Sequence, residues 1–165
     1  MQHTFNQMEN MNQPDKKTIN TIEYIIVCIN AFAEDLGIDN RESYRYLKKY
    51  GGIDFLIDCY DIEHTLSIEN AVEDLKLLCK NSGGQIPNGT KDYDPKIQFQ
   101  IECVAKNLVA MLMSKYGWNM QMSIDRLCTS ETYDRLCDPE CGLYYESPVY
   151  VFSFLQNEIE TGRIS

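Results

Sequence analysis

A chain of 165 residues with 25 acidic and 15 basic side chains carries a net charge of −10, and 44% of it is hydrophobic. That length suits one domain or two small ones, and the composition supplies a core and excludes general disorder. The sign of the charge repels phosphate, so nucleic acid and anionic membrane are poor partners for the chain as a whole, and a basic protein surface is a good one.

No apolar run approaches the length of a membrane span. Residues 1–17 are polar, rich in Gln, Asn and Met, and lack the apolar core of a signal peptide. They read as a disordered lead, and the chain is expected in the cytoplasm. The seven cysteines are odd in number, and in a reducing compartment they are expected to stay as thiols.

From Lys17 onward the apolar residues recur at helical spacing. Ile22, Ile25, Ile26, Ile29, Phe32, Ala33 and Leu36 mark a long helix capped by Thr18 or Asn20 and stopped by Gly37. Asp39 or Asn40 opens a shorter helix through Tyr44, Leu47 and Tyr50, which Gly51-Gly52 breaks. A third covers Ile53 to about Cys59. Tyr60 to Leu66 reads as a connection, and Ser67 caps a fourth helix with Ile68, Ala71, Val72, Leu75 and Leu78 on one face. Residues 83–95 hold Gly83, Gly84, Pro87, Gly89 and Pro95 and read as a linker.

The second part starts with another long helix, apolar nearly all round at Leu108 to Met113, so it needs burial on more than one side. Gly117 follows it. Short helices carry Ile124 and Leu127, then Tyr133 and Leu136, the latter capped by Ser130 and closed by Asp138-Pro139. Ser147-Pro148 opens the last helix, with Val151, Phe152, Leu155 and Ile159 on its buried face.

A slide of 80 residues puts Gly37 on Gly117, Leu47 on Leu127, Leu56 on Leu136, Ser67 on Ser147 and Leu75 on Leu155. The expected fold class is therefore all-α. The expected arrangement is two tandem four-helix units, 18–82 and 96–165, related to each other and packed together. Each alone would bury a marginal core.

Chemistry-bearing constellations are sparse. Only His3 and His64 are histidines, and His3 lies in the polar lead. His64 has acidic neighbours that favour its charged form. It reads either as a general base or as a polar residue that fixes the entry to the fourth helix. Cys128, Cys137 and Cys141 lack the paired spacing and fourth ligand of a zinc site. No phosphate-cradling glycine loop is present. No catalytic residue, metal or cofactor is therefore expected.

The remaining signal is aromatic. Tyr44, Tyr46, Tyr50, Phe55 and Tyr60 crowd one segment, and Tyr144, Tyr145, Tyr150, Phe152 and Phe154 the other. Acidic residues interleave at Asp54, Asp58, Asp61, Glu63, Asp138, Glu140 and Glu146. Tyrosine anchors with an acidic rim suit a basic partner, while ordinary core packing accounts for part of each cluster. The expected partner-binding residues are Tyr60, Asp61, His64, Thr65, Tyr144, Tyr145 and Glu146.

The stretches Ile22 to Ile29, Tyr50-Gly51-Gly52-Ile53-Asp54-Phe55-Leu56 and Tyr60-Asp61-Ile62-Glu63-His64-Thr65-Leu66 resemble a family of short bacterial proteins of unknown function, over about residues 20–80. Ser130 to Tyr133 and Asp138 to Pro148 resemble a second short bacterial family of similar gene context, from which Cys141 departs. Genes of the first family commonly lie beside a predicted toxin related to ADP-ribosyltransferases. The resemblance thus implies an antitoxin-like protein that binds and masks a toxin enzyme with a basic surface. It carries over no catalytic residue. Two other readings stay open: a helical regulator of its own operon, using Arg41, Arg45, Lys48 and Lys49, and a small helical enzyme using His64. A homo-oligomer also stays open.

Overall fold

A computed structural model describes residues 13–164. Most of the expected disordered lead lies outside them. Among the described residues every regular element is helical: α1 Lys16–Leu36, α2 Asn40–Lys49, α3 Gly52–Asp58, α4 Tyr60–Glu63, α5 Ile68–Asn81, α6 Pro95–Tyr116, α7 Met120–Cys128, α8 Glu131–Cys137 and α9 Pro148–Thr161, with a 3-10 turn at Leu143–Tyr145. The chain is all-α, and none of these helices is long and apolar enough to cross a membrane.

The helices begin where side chains replace missing backbone acceptors. Asp15, rather than Thr18 or Asn20, serves α1 by accepting from Thr18 N at 2.7 Å, so Lys16 and Lys17 belong to the helix and not to the lead. Asp39 caps α2, Ser67 α5, Asn119 α7, Ser130 α8 and Ser147 α9, each accepting from the amide three residues on. Residues 60–63 form a one-turn helix inside the stretch that reads as a connection.

By compactness the described residues divide into a unit Glu23–Glu102 and a unit made of residues 13–22 with 103–164. In the first unit α1, α2, α3 and α5 bury Ile25, Ile29, Phe32, Leu47, Leu56 and Leu75 completely. Residues 83–95 lie wholly inside this unit. There they act as a strap over the end of α1. Gly89 N donates to Leu36 O at 2.8 Å, Lys91 N donates to Gly37 O at 2.9 Å, and the Tyr93 hydroxyl donates to Ile38 O. One carbonyl of the last turn of α1 and those of the two residues that follow it are thereby satisfied.

In the second unit Leu108, Val109, Leu112, Ile124, Leu127, Leu136, Val151 and Leu155 are fully buried. Glu158 of α9 ties α8 down. Its carboxylate accepts from Glu131 N at 2.7 Å and from Thr132 N at 3.0 Å, and Thr132 Oγ1 donates to it at 2.7 Å. A carboxylate at a helix start satisfies free amides and opposes the dipole, so it closes the short α8 well.

Candidate functional site

The second unit carries an exposed apolar surface at the 3-10 turn and the first turn of α9. Gly142, at φ 69°, turns the chain so that Leu143–Tyr145 can wind up. Successive residues of so tight a turn diverge. Tyr144 points inward and is 7% exposed, while Tyr145 is 72% exposed. Ser147 and Pro148 start α9, and Val149 and Tyr150 face outward at 70% and 50% exposure. Asp138, Glu140 and Glu146, nearby in the chain, are exposed. Tyr150 meets Phe154 edge-on at 5.1 Å. Phe154 also walls a hollow of about 170 Å³ lined by Arg135, Cys141, Leu143 and Ile164.

The first unit carries the counterpart at α4 and the entry to α5. Ile62 is 69% exposed and Leu66 40% exposed. Asp54, Asp58, Asp61 and Glu69 are exposed nearby in the chain. His64 stacks on Tyr60 at 4.4 Å, and its Nδ1 meets Tyr60 O at 2.5 Å. Thr65 Oγ1 donates to Ile62 O at 2.6 Å. Both polar side chains therefore brace the one-turn helix from outside. Tyr60 packs edge-on against Tyr24 at 5.6 Å.

Of the seven expected partner-binding residues, Asp61, His64, Thr65, Tyr145 and Glu146 are exposed, Tyr60 is half-buried and Tyr144 is buried. Tyr60, Asp61, His64 and Thr65 come together in the first unit, and Tyr144, Tyr145 and Glu146 in the second. Ile62 and Leu66 lie within the expected Tyr60–Leu66 connection but are not among the seven, Tyr150 is expected only as part of the aromatic cluster, and Val149 is not expected at all. The available signal was position: Val149 and Tyr150 stand just after Pro148, ahead of the buried pair Val151 and Phe152.

In the first aromatic cluster Tyr44 is core, and Tyr46, Tyr50, Phe55 and Tyr60 are half-buried. Tyr44 is 1% exposed, and Tyr46 stacks on Phe32 at 5.9 Å and meets Tyr50 at 4.8 Å. Lys48 and Lys49 lie over the rings of Tyr44 and Tyr50.

Four of the groups with altered proton affinity bear on reactivity or stability: two carboxyls, a phenol and a thiol. Burial is the main cause for Glu63, whose carboxyl is pushed up with help from Asp74. Its Oε2 has no hydrogen-bond partner among the described residues. Burial pushes the Cys28 thiol up to about 12 and raises Tyr24 as well. Cys28 and Tyr24 therefore hold their protons, which makes them poor nucleophiles at neutral pH. Among the described residues no cluster of three or more His, Cys, Asp or Glu side chains is placed to hold a metal ion.

Glu102 is the fourth group. Burial pushes its carboxyl up to about 7, with Glu34 and Glu23 adding to the effect and Asn30 opposing it by donating from Nδ2 at 3.5 Å. The folded state thus keeps a proton that the unfolded chain releases near pH 4.5. Stability should fall as pH rises from about 4.5 to about 7 and level off above that. Glu102→Gln should abolish this fall and leave the protein about 1 kcal/mol more stable than the parent above neutrality, a figure reduced for partial solvent screening. Urea titrations at a series of pH values check it.

Residues 23–82 match the model of a family described as a protein of unknown function, DUF3791. The matched stretch runs from within α1 to the end of α5 and contains the Ile62–Leu66 surface. No curated protein is similar to the chain at a significant level. No solved structure is either.

Proposed function

We propose that the chain is a non-enzymatic protein-binding module that docks a basic partner on these turn surfaces. The observation that carries the reading is where large apolar side chains are left in water. Ile62, Leu66, Tyr145, Val149 and Tyr150 make up most of the large exposed hydrophobics among the described residues, and they fall in segments that the 80-residue slide superposes. Scattered exposed hydrophobics need no explanation, but apolar groups gathered at matching places in two related halves do. Rigid tyrosines beside a hollow, with carboxylates nearby in the chain, have the composition of a binding hot spot with a polar rim.

The finer reading is antitoxin-like: the chain masks a toxin enzyme related to ADP-ribosyltransferases. It rests on the family resemblance and fits the acidic charge. Capture from lysate of the source cells with the tagged full-length chain, beside a Tyr145→Ser/Val149→Ser variant of equal stability, tests both levels. A protein retained by the parent and lost by the variant supports docking here. If that protein is a transferase and the parent chain inhibits it, the antitoxin reading stands. Equal retention by both chains removes the surface from consideration.

The regulator reading keeps one favourable observation: Arg45, Lys48 and Lys49 are exposed along α2. Submicromolar, salt-sensitive binding of the chain to its own promoter would put that reading first, because counterion release requires phosphate contacts.

A further inference from the structure

We infer that the two 80-residue repeats have exchanged the first turns of their long helices, so that each compact unit is completed by a segment of the other repeat. The 80-residue spacing recurs in the bounds of the helices. Adding 80 to α5, Ile68–Asn81, gives 148–161, the span of α9. Adding 80 to α1, Lys16–Leu36, gives 96–116, and α6 is Pro95–Tyr116. Gly37 and Gly117 end these helices with φ of 64° and 66°. The caps Asp39 and Ser67 superpose on Asn119 and Ser147. Even a buried hydroxyl recurs, with Ser43 and Ser123 both at 0% exposure.

Against that register, the boundaries of the compact units are informative. One falls between Ile22 and Glu23, the other between Glu102 and Cys103. They are the same repeat position, 80 residues apart. The unit built around α2–α5 therefore takes the last part of its own long helix, α1, and the first part of the other, α6. The unit built around α7–α9 takes the last part of α6 and the first part of α1.

In the first unit the borrowed segment is held by side chains. Gln98 and Asn40, 4% and 1% exposed, pair amide to amide at 3.2 and 3.4 Å. Asn30 bonds Glu102, and Ile101 is buried at 2% exposure. In the second unit the borrowed segment carries Ile22 at 0% and Thr21 at 7% exposure. Such an exchange leaves each core the same size but makes its completion depend on the other repeat, and a single repeat of this length buries only a marginal core.

Hydrogen exchange on the full-length chain tests this with two equivalent cavities. Leu47 and Leu127 superpose in the repeat and are both fully buried. Leu127→Ala should speed exchange of the amides of α7–α9 by roughly 100-fold and carry with it residues 19–22, far away in sequence. It should leave residues 99–102 protected. Leu47→Ala should do the reverse, speeding α2–α5 together with 99–102 and sparing 19–22. Leu→Val at the same positions replaces either variant that fails to fold. The inference is overturned if 19–22 follow Leu47→Ala and 99–102 follow Leu127→Ala. It is equally overturned if every amide responds alike to both substitutions.

Discussion

Gly37→Ala should be the more damaging of two substitutions that the sequence makes look alike. Gly37 and Gly117 both end a long helix, occupy the same place in the repeat and have the same left-handed backbone, with φ of 64° and 66°. An L side chain at such a φ costs about 1–2 kcal/mol. At Gly117 that is the whole cost, since a Cβ there meets nothing within 4 Å. At Gly37 the added carbon would lie 2.6 Å from the carbonyl oxygen of Gly89 and 3.1 Å from Thr90 N. Both are backbone atoms of the strap, which cannot swing away as a side chain can. The strap must lift, and the bonds from Gly89 N and Lys91 N to the end of α1 weaken with it. Together these make about 3–4 kcal/mol for Gly37→Ala, of which about 2 comes from the overlap and lost bonds. Urea midpoints at unchanged m value measure the difference. Equal losses at the two glycines would show that the strap does not hold α1 in solution.

The strap also shows where sequence reasoning stopped. Helices were legible because their signals are local: apolar residues at three- and four-residue spacing, Asp39, Ser67, Ser130 and Ser147 at their starts, glycine at their ends. Residues 83–95 are dense in glycine and proline, which marks a break in helix but does not say whether the backbone is loose or bonded. Whether Gly89 approaches Gly37 is a long-range fact, set by the fold and invisible to any window of the sequence. The same holds for the division of the long helices. Ile22 and Glu23 are neighbours in one unbroken apolar pattern, and nothing in that pattern tells which core each side serves.

The candidate surface was half legible for a related reason. Aromatic residues with interleaved carboxylates located both segments. Composition does not give direction, however, and direction is what separates an anchor from a core residue. In α2 the helical period points Tyr44 inward. In the 3-10 turn at Leu143–Tyr145, adjacent tyrosines take opposite fates. Their rings still touch, with centroids 4.4 Å apart.

That pair gives the second large effect. Tyr144→Ala should behave as a core deletion. The ring is buried, its hydroxyl donates to Pro139 O at 3.5 Å, and removing it leaves a cavity under the turn. A loss of about 3–4 kcal/mol follows from large-to-small substitutions of this kind. Tyr145→Ala removes a ring that is 72% exposed and should change stability by no more than about 0.5 kcal/mol. The order reverses for binding. If the surface docks a protein partner, Tyr145→Ala should weaken the complex by about 2 kcal/mol, as loss of an anchoring tyrosine does. Val149→Ala should add a smaller loss, because the side chain is small and sits at the edge of the same turn. Thermal melts read the first comparison and titration against the captured partner reads the second. Tyr145→Ala that melts early would place its ring in the core. Tyr145→Ala that melts normally and binds normally would leave the exposed tyrosine without a partner, and the docking surface would have to be sought elsewhere on the chain.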